Sequence, residues 1–284
     1  RYLNQPYGDL WHRLRQLAYQ HHPYRWPTIG KDVAHIENAT MDDVKDFFNR
    51  FYCPDNAVLV VAGNVQLPRV KQLAEKWFGD IPAGTPAVRN LPAEPPQKEK
   101  KYQEVYAKVP VSAFHKVYHM CAKHEPDYIA TDLLSDILGR GKSSRLYESL
   151  VKEQKIFSSL GASISGSLDP GLFIIAGKLN EGANPDEAEQ AVNHIVNDLQ
   201  QGNFSNEELQ KVKNQAESTL AFSELEVFSR AVNLAVSGFI GDTSLVNATA
   251  GKIEQVNRQD IERLSQQVLR EENSTVMWYH PEKA

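Results

Sequence analysis

Apolar side chains at positions 44, 47, 48 and 51 fall on one face of a helix over residues 41–51, because a period near 3.6 brings such positions together. Val44, Phe47, Phe48 and Phe51 therefore predict its buried face. Thr40 with Asp43 three residues on marks the start, a capping box with Asp in the usual place of Glu. Pro54-Asp55-Asn56 ends the helix, and the continuous apolar run AVLVVAG at 57–63 predicts a buried strand. A second amphipathic helix follows, with Val70, Leu73, Ala74, Trp77 and Phe78 on its apolar face and Gly79 as its stop. Nearer the start, Leu10, Leu14 and Leu17 with Trp11 and Ala18 form another helical stripe. Asp9 is placed to cap or charge its first turn, and no capped start or turn stands before Arg1, so the sequence is expected to enter mid-element. The loop HHPYRWPTIG at 21–30 carries Tyr24 and Trp26 as anchors against the helices.

From Pro82 to Lys101 the composition turns proline-rich and then charged, as expected of an extended connector. Beyond it, YQEVYAKVPVSAFHKVYHMCAK alternates as strands, and DYIATDLLSDILG reads as a helix. The stretch 139–177 begins with a Gly-Arg-Gly-Lys-Ser-Ser turn, where Ser143 or Ser144 is placed to cap a helix striped by Leu146, Leu150 and Val151. From Ile156 small and β-branched residues lead through the Asp169-Pro170-Gly171 turn into LFIIAGKL, which predicts a two-stranded hairpin. Pro185 and Gly202 bracket the next helix, and a Ser205–Glu208 capping box opens a long helix or helix pair.

The last segment repeats the earlier one. A polar cap, an Asp-hydrophobic pair (Asp43-Val44, then Asp260-Ile261), an amphipathic helix, a short break with Asn (Asn56, then Asn273) and an apolar run (AVLVVA, then STVMWY) occur in the same order on opposite sides of the proline-rich stretch. That order points to a duplicated α+β unit. The expected domains are 1–82, the C-terminal part of an incomplete first half-domain; 83–101, the linker; and 102–284, a complete second half-domain. The fold class is α+β, two homologous half-domains of mixed or antiparallel sheet packed by helices.

Composition narrows the function by exclusion. At 284 residues, 41% apolar and 24% charged, the chain is ordinary for a globular protein of one large domain or two smaller ones. A formal charge of −5 without a basic stripe argues against nucleic-acid binding. No apolar run reaches the roughly 18–20 residues that a membrane helix needs. The start at Arg1, with no Met, leaves export and cellular location open. Cys53 and Cys121 read as reduced packing residues.

Sites of known chemistry are missing from the pattern. There is no dinucleotide or phosphate loop, no nucleophile elbow and no CxxC pair. Neither HExxH nor HxxEH occurs. His115 and His119 are four apart on a strand-like run, which separates them by about 13 Å at about 3.3 Å per residue. His21-His22 sit in a loop, and the remaining histidines lack a partner at ligand spacing. The residues themselves define no catalytic group and no metal ligand.

HHPYRWPTIG, YCPDNAVLVVAGNV and LGRGKSSRLYESLVKEQ, together with the duplicated halves and the linker, resemble the pitrilysin/insulinase family of zinc peptidases, which carry an inverted H-x-x-E-H motif. The likeness spans essentially the whole chain and is nearest to the smaller bacterial and processing-peptidase-like members. It implies a zinc endopeptidase whose similar halves assemble as dimers around a chamber and cut peptides or unfolded segments. It also implies that the zinc motif and the third ligand, a Glu, lie upstream of Arg1, so the chain alone is expected to hold no zinc and to lack peptidase activity. In this family zinc activates a water and the motif's Glu acts as general base. The facing half supplies an Arg and, seven residues later, a Tyr; those positions fall on Val151 and Ser158. Neither side chain replaces the original, so the pair is expected from a paralogous partner, and the chain is expected to pair with such a peptidase-like subunit or with itself as a dimer. Arg145 reads as structural. Two alternatives stand beside the peptidase: a non-catalytic, peptidase-like partner or structural subunit, and a binding scaffold that shares only the fold.

Overall fold

The structure, a computed structural model, describes residues 5–85 and 89–282. The sequence entry at 1–4 and positions 86–88 of the expected linker lie outside the described residues. Along the chain run α1 (Leu10–Ala18), α2 (Ala34–Glu37), α3 (Met41–Phe51), α4 (Leu67–Phe78), β1 (Lys101–Ala107), β2 (Ala113–His119) and α5 (Tyr128–Gly139). They are followed by β3 (Phe157–Ser165), β4 (Leu172–Leu179), α6 (Pro185–Gln200), α7 (Asn206–Ser223), α8 (Val227–Ile240), α9 (Leu245–Gln255), α10 (Arg258–Val268) and β5 (Ser274–Pro281). The α+β class is as the sequence predicts. Two compact units form: one from residues 1–27, 92–215 and 253–284, the other from 28–91 and 216–252.

The first unit is built on one sheet in the order β1-β5-β2-β4-β3. β1 runs parallel to β5, and the other neighbours are antiparallel. Alternation along β2 gives the sheet two buried faces. Ala113 and Val117, with Ile174, Leu172, Met277 and Tyr279 on the neighbouring strands, pack against Leu10, Leu14 and Ala18 of α1. Phe114, Lys116 and Tyr118 take the opposite face, where Phe114 meets Trp278 at 4.8 Å between ring centroids. There α5 packs on β3 and β4, α10 packs on α5 and α6, and Trp278 Nε1 donates to Glu189 of α6 at 3.4 Å. Burying both faces means that a strand pattern read as half polar is in fact covered on each side. His115 lies edge-on to Trp11 at 5.7 Å, and His119 Nε2 donates to the Ala18 carbonyl at 3.1 Å.

The stretch entering β1 is held at several points. Glu94 accepts from three successive backbone N–H groups, those of Gln20, His21 and His22, at 2.7–2.9 Å. Gln97 donates to the carbonyls of Glu272 and Ser274.

In the second unit α3 and α4 form where the sequence puts them, but their apolar faces are not buried. The Thr40–Asp43 capping box closes reciprocally, yet Val44, Phe47 and Phe48 are 55%, 57% and 56% exposed. Trp77 and Phe78 of α4 and Phe228 of α8 are exposed as well. The expected buried strand at 57–63 is also absent: these residues form no strand, and Val58, Leu59 and Val61 face out. A strand exists only where a neighbour takes up its N–H and C=O groups, and no described segment pairs with this run. Apolar character alone does not supply that neighbour.

Candidate functional site

The stretch from Gly139 to Gly177 folds as a turn, a helix and a hairpin, but its helix is not the predicted α-helix. Residues Tyr147–Glu153 form a π-helix, in which the Gln154 N–H reaches the Ser149 carbonyl five residues back at 2.9 Å. The expected serine cap is also different: Ser144 Oγ donates to the Gly141 carbonyl at 2.8 Å and closes the turn itself. Leu146 and Leu150 are fully buried, as their stripe predicts. Lys155 then takes φ 55°, a left-handed conformation that only glycine adopts without strain. Its carbonyl is fixed by Asn180 Nδ2 at 2.6 Å. β3 opens with a bulge between Phe157 and Ser159, so Ser158 is the extra residue of that strand.

The two positions implied by the family resemblance therefore sit on two backbone irregularities. Val151 lies, partly buried, within the π-helix. Ser158 is exposed on the bulge and spends its hydroxyl on the Lys178 carbonyl at 3.1 Å. Neither offers a cationic donor or a phenol. Arg145 points elsewhere, into a network with Glu208 (2.7 and 2.9 Å), Asp198 (3.0 Å) and the Asn203 carbonyl (2.6 Å). Hydrogen bonding to Glu208 raises its already high pKa.

The histidines do not converge. His22 is 4% exposed and both ring nitrogens are engaged. Nδ1 accepts from the Tyr24 N–H at 3.1 Å, which leaves the proton on Nε2 to donate to Asp169 at 3.1 Å. Tyr24 in turn donates to Ser167 at 2.7 Å and packs edge-on against Tyr19. The HHPYRW loop is thus a structural clasp, with Tyr24 as its anchor. His115 Nδ1 is enclosed without a hydrogen-bond partner, and burial pushes its pKa down to about 4. His22 already uses both ring nitrogens, and His119 uses Nε2 on the Ala18 carbonyl. Among the described residues no three His, Cys, Asp or Glu side chains come together as a ligand set.

One group escaped the sequence reading. Lys116 is fully buried on β2, with its ammonium bonded to Asn193 at 2.8 Å and to Glu271 at 2.6 Å. Glu271 also pairs with Lys100 at 2.9 Å. Burial, partly offset by Glu271, pulls the Lys116 pKa down. The signal was a lysine flanked at i±2 by Phe114 and Tyr118, in register with Val276 and Ile175.

Comparison with known proteins places this arrangement. Residues 38–216, more than half of the chain, match a family described as "Peptidase M16 inactive domain". The chain belongs to that family. This bears out the resemblance to pitrilysin/insulinase-type zinc peptidases. Zinc protease PqqE of Helicobacter pylori is 27% identical over 98% of this chain and 63% of its own length. The uncharacterized zinc protease YmxG of Bacillus subtilis is 23% identical over 93% of this chain and 64% of its own. The chain thus spans less than two thirds of these curated relatives. A crystal structure of a protease from Helicobacter pylori aligns with a TM-score of 0.88 and 25% identity, covering 99% of this chain and 68% of that one. No described helix is long and apolar enough to cross a membrane.

Proposed function

We propose that this M16 chain works as the non-metal part of a zinc-dependent endopeptidase subunit that cuts peptides or unfolded segments. The zinc, its activated water and the general base come from an H-x-x-E-H segment upstream of Arg1, and residues 102–284 form the second of two related half-domains, joined to the first through 83–101. The reading rests on the resemblance, which puts Val151 and Ser158 at the family's Arg and Tyr positions, and is supported by the π-helix and bulge on which these two residues, neither a cationic donor nor a phenol, lie. A paralogous subunit then supplies the oxyanion-binding pair. The exposed apolar faces of α3 and α4 and the unpaired run 57–63 support a further part of the longer protein covering the second unit.

The coding sequence upstream of Arg1 tests the metal half of this reading. An intact H-x-x-E-H with a later Glu is expected, and a degraded motif overturns it. For the pair, the longer protein is assayed without other subunits. Val151→Arg combined with Ser158→Tyr is expected to raise peptidase turnover by about ten-fold or more, and no gain counts against the missing-pair argument. The same two residues favour one other reading, a non-catalytic partner subunit, which a degraded upstream motif would select.

A further inference from the structure

A half-open cavity of about 410 Å³ lies within the first unit, between β2, α6 and the turn after α10. That volume is in the range of small-molecule sites, and its walls are unusually well specified. Tyr118 lines it and is 1% exposed, yet its hydroxyl makes no hydrogen bond among the described residues. The enclosed, partnerless polar side-chain atom among those residues is His115 Nδ1. The Tyr118 oxygen is therefore not sealed in the core and opens on the cavity.

The neighbouring amides are oriented by their other partners. Asn193 Oδ1 accepts from the buried Lys116 ammonium at 2.8 Å. An ammonium only donates, so Asn193 must turn its Nδ2 away as a free donor. Gln200 spends its Nε2 on the carbonyls of Ser265 and Leu269, both at 3.1 Å, which leaves Oε1 as an acceptor. Arg270, Glu271 and Glu272 complete the rim, where Glu271 is already paired with Lys116 and Lys100. Glu272 is held only by an exposed pair with Arg270, and such pairs hold weakly.

Two donors backed by a buried cation, facing the Glu272 carboxylate and an amide acceptor, match a ligand with an anionic end and a cationic end. The geometry points to a binding site for a small amino-acid-like zwitterion, a free α-amino acid or a dipeptide. Its carboxylate lies on Tyr118 and Asn193, and its ammonium lies toward Gln200 and Glu272. This site uses none of the residues in 147–159 and stands independently of the peptidase reading.

The test is an NMR titration of the ¹⁵N-labelled protein with a panel of free amino acids and glycylglycine. Saturable binding with a Kd of about 1 mM or tighter is expected for at least one of them, with the Asn193 side-chain amide signals among those that move. Tyr118→Phe keeps the ring and is expected to weaken that ligand about 5- to 10-fold. Asn193→Asp keeps an acceptor for Lys116 while removing the donor, and is expected to weaken it by about 10-fold or more. No binding up to about 10 mM, or saturable binding that leaves the Asn193 amide unmoved, overturns the proposal. Should either variant fail to fold, the amide shifts of the unaltered protein decide the matter.

Discussion

The segments α3 with residues 54–62 and α10 with β5 start from nearly the same instructions and end in different states. Thr40 and Asn257 close the same capping box with Asp43 and Asp260. A 3₁₀ turn follows each helix, Pro54–Asn56 in one and Glu271–Asn273 in the other. Even the last asparagine acts alike: Asn56 Nδ2 donates to the Phe51 carbonyl at 2.9 Å, and Asn273 Nδ2 to the Val268 carbonyl at 2.7 Å, each five residues back. There the likeness stops. β5 is buried between β1 and β2, whereas the apolar run after Asn56 lies exposed and unpaired. Local hydrogen bonds repeat wherever the local sequence repeats. A strand's ladder depends on what else the chain brings alongside.

The largest effect expected from this difference is in the apolar runs. Trp278→Ala removes a side chain buried against Phe114 and should cost about 3–5 kcal/mol in urea unfolding. Val61→Ser, at the equivalent place in the exposed run, should change stability by less than about 0.5 kcal/mol and should lower self-association in light scattering. A large loss from Val61→Ser would erase the contrast.

Acid should act through the buried sheet of the first unit. Burial holds the His115 pKa at about 4, below the ordinary value of 6.5. The unfolded chain therefore takes up a proton first as pH falls. The resulting stability is fully present above about pH 6.5 and is lost toward pH 4. After allowing for partial exposure, the loss should be about 2 kcal/mol. Unfolding curves at pH 7.5 and 4.5 should converge by that amount in His115→Gln.

Asn273→Ala should cost about 2 kcal/mol, because its amide also holds the His119 carbonyl at 2.9 Å within the sheet unit. Asn56→Ala, whose amide makes only the local bond, should cost about 0.5 kcal/mol. The smallest difference is expected at the caps. Thr40→Ala and Asn257→Ala should each cost about 1 kcal/mol, since both boxes are closed by their own residues, and unequal losses would show that tertiary contacts reach them.

The same divide separates what was legible along the chain from what was not. The starts of α3, α6, α7 and α10 follow from Thr40, Pro185, Ser205 and Asn257, because a cap and the helix it closes are neighbours in sequence. The hairpin of β3 and β4 followed from its turn. Val151 and Ser158 could be placed by resemblance, but not the π-helix and bulge that carry them. The left-handed Lys155 and the bulged Ser158 answer to Asn180 and Lys178, across the hairpin. Lys116 looked like an ordinary strand lysine until Asn193 and Glu271, distant in sequence, closed over it.

By itself, the sequence determined most of the helices, the caps of α3, α7 and α10, the α+β class and the likeness to zinc peptidases, all of which rest on spacing within a few residues or on short motifs. Tertiary structure alone decided which apolar run becomes a strand, which lysine is buried and which hydroxyl opens on a cavity. The physical reason is that a ladder, a desolvated ammonium and a cavity wall each need partners from far along the chain. AVLVVAG and STVMWY are both apolar, and only the second finds a strand on either side.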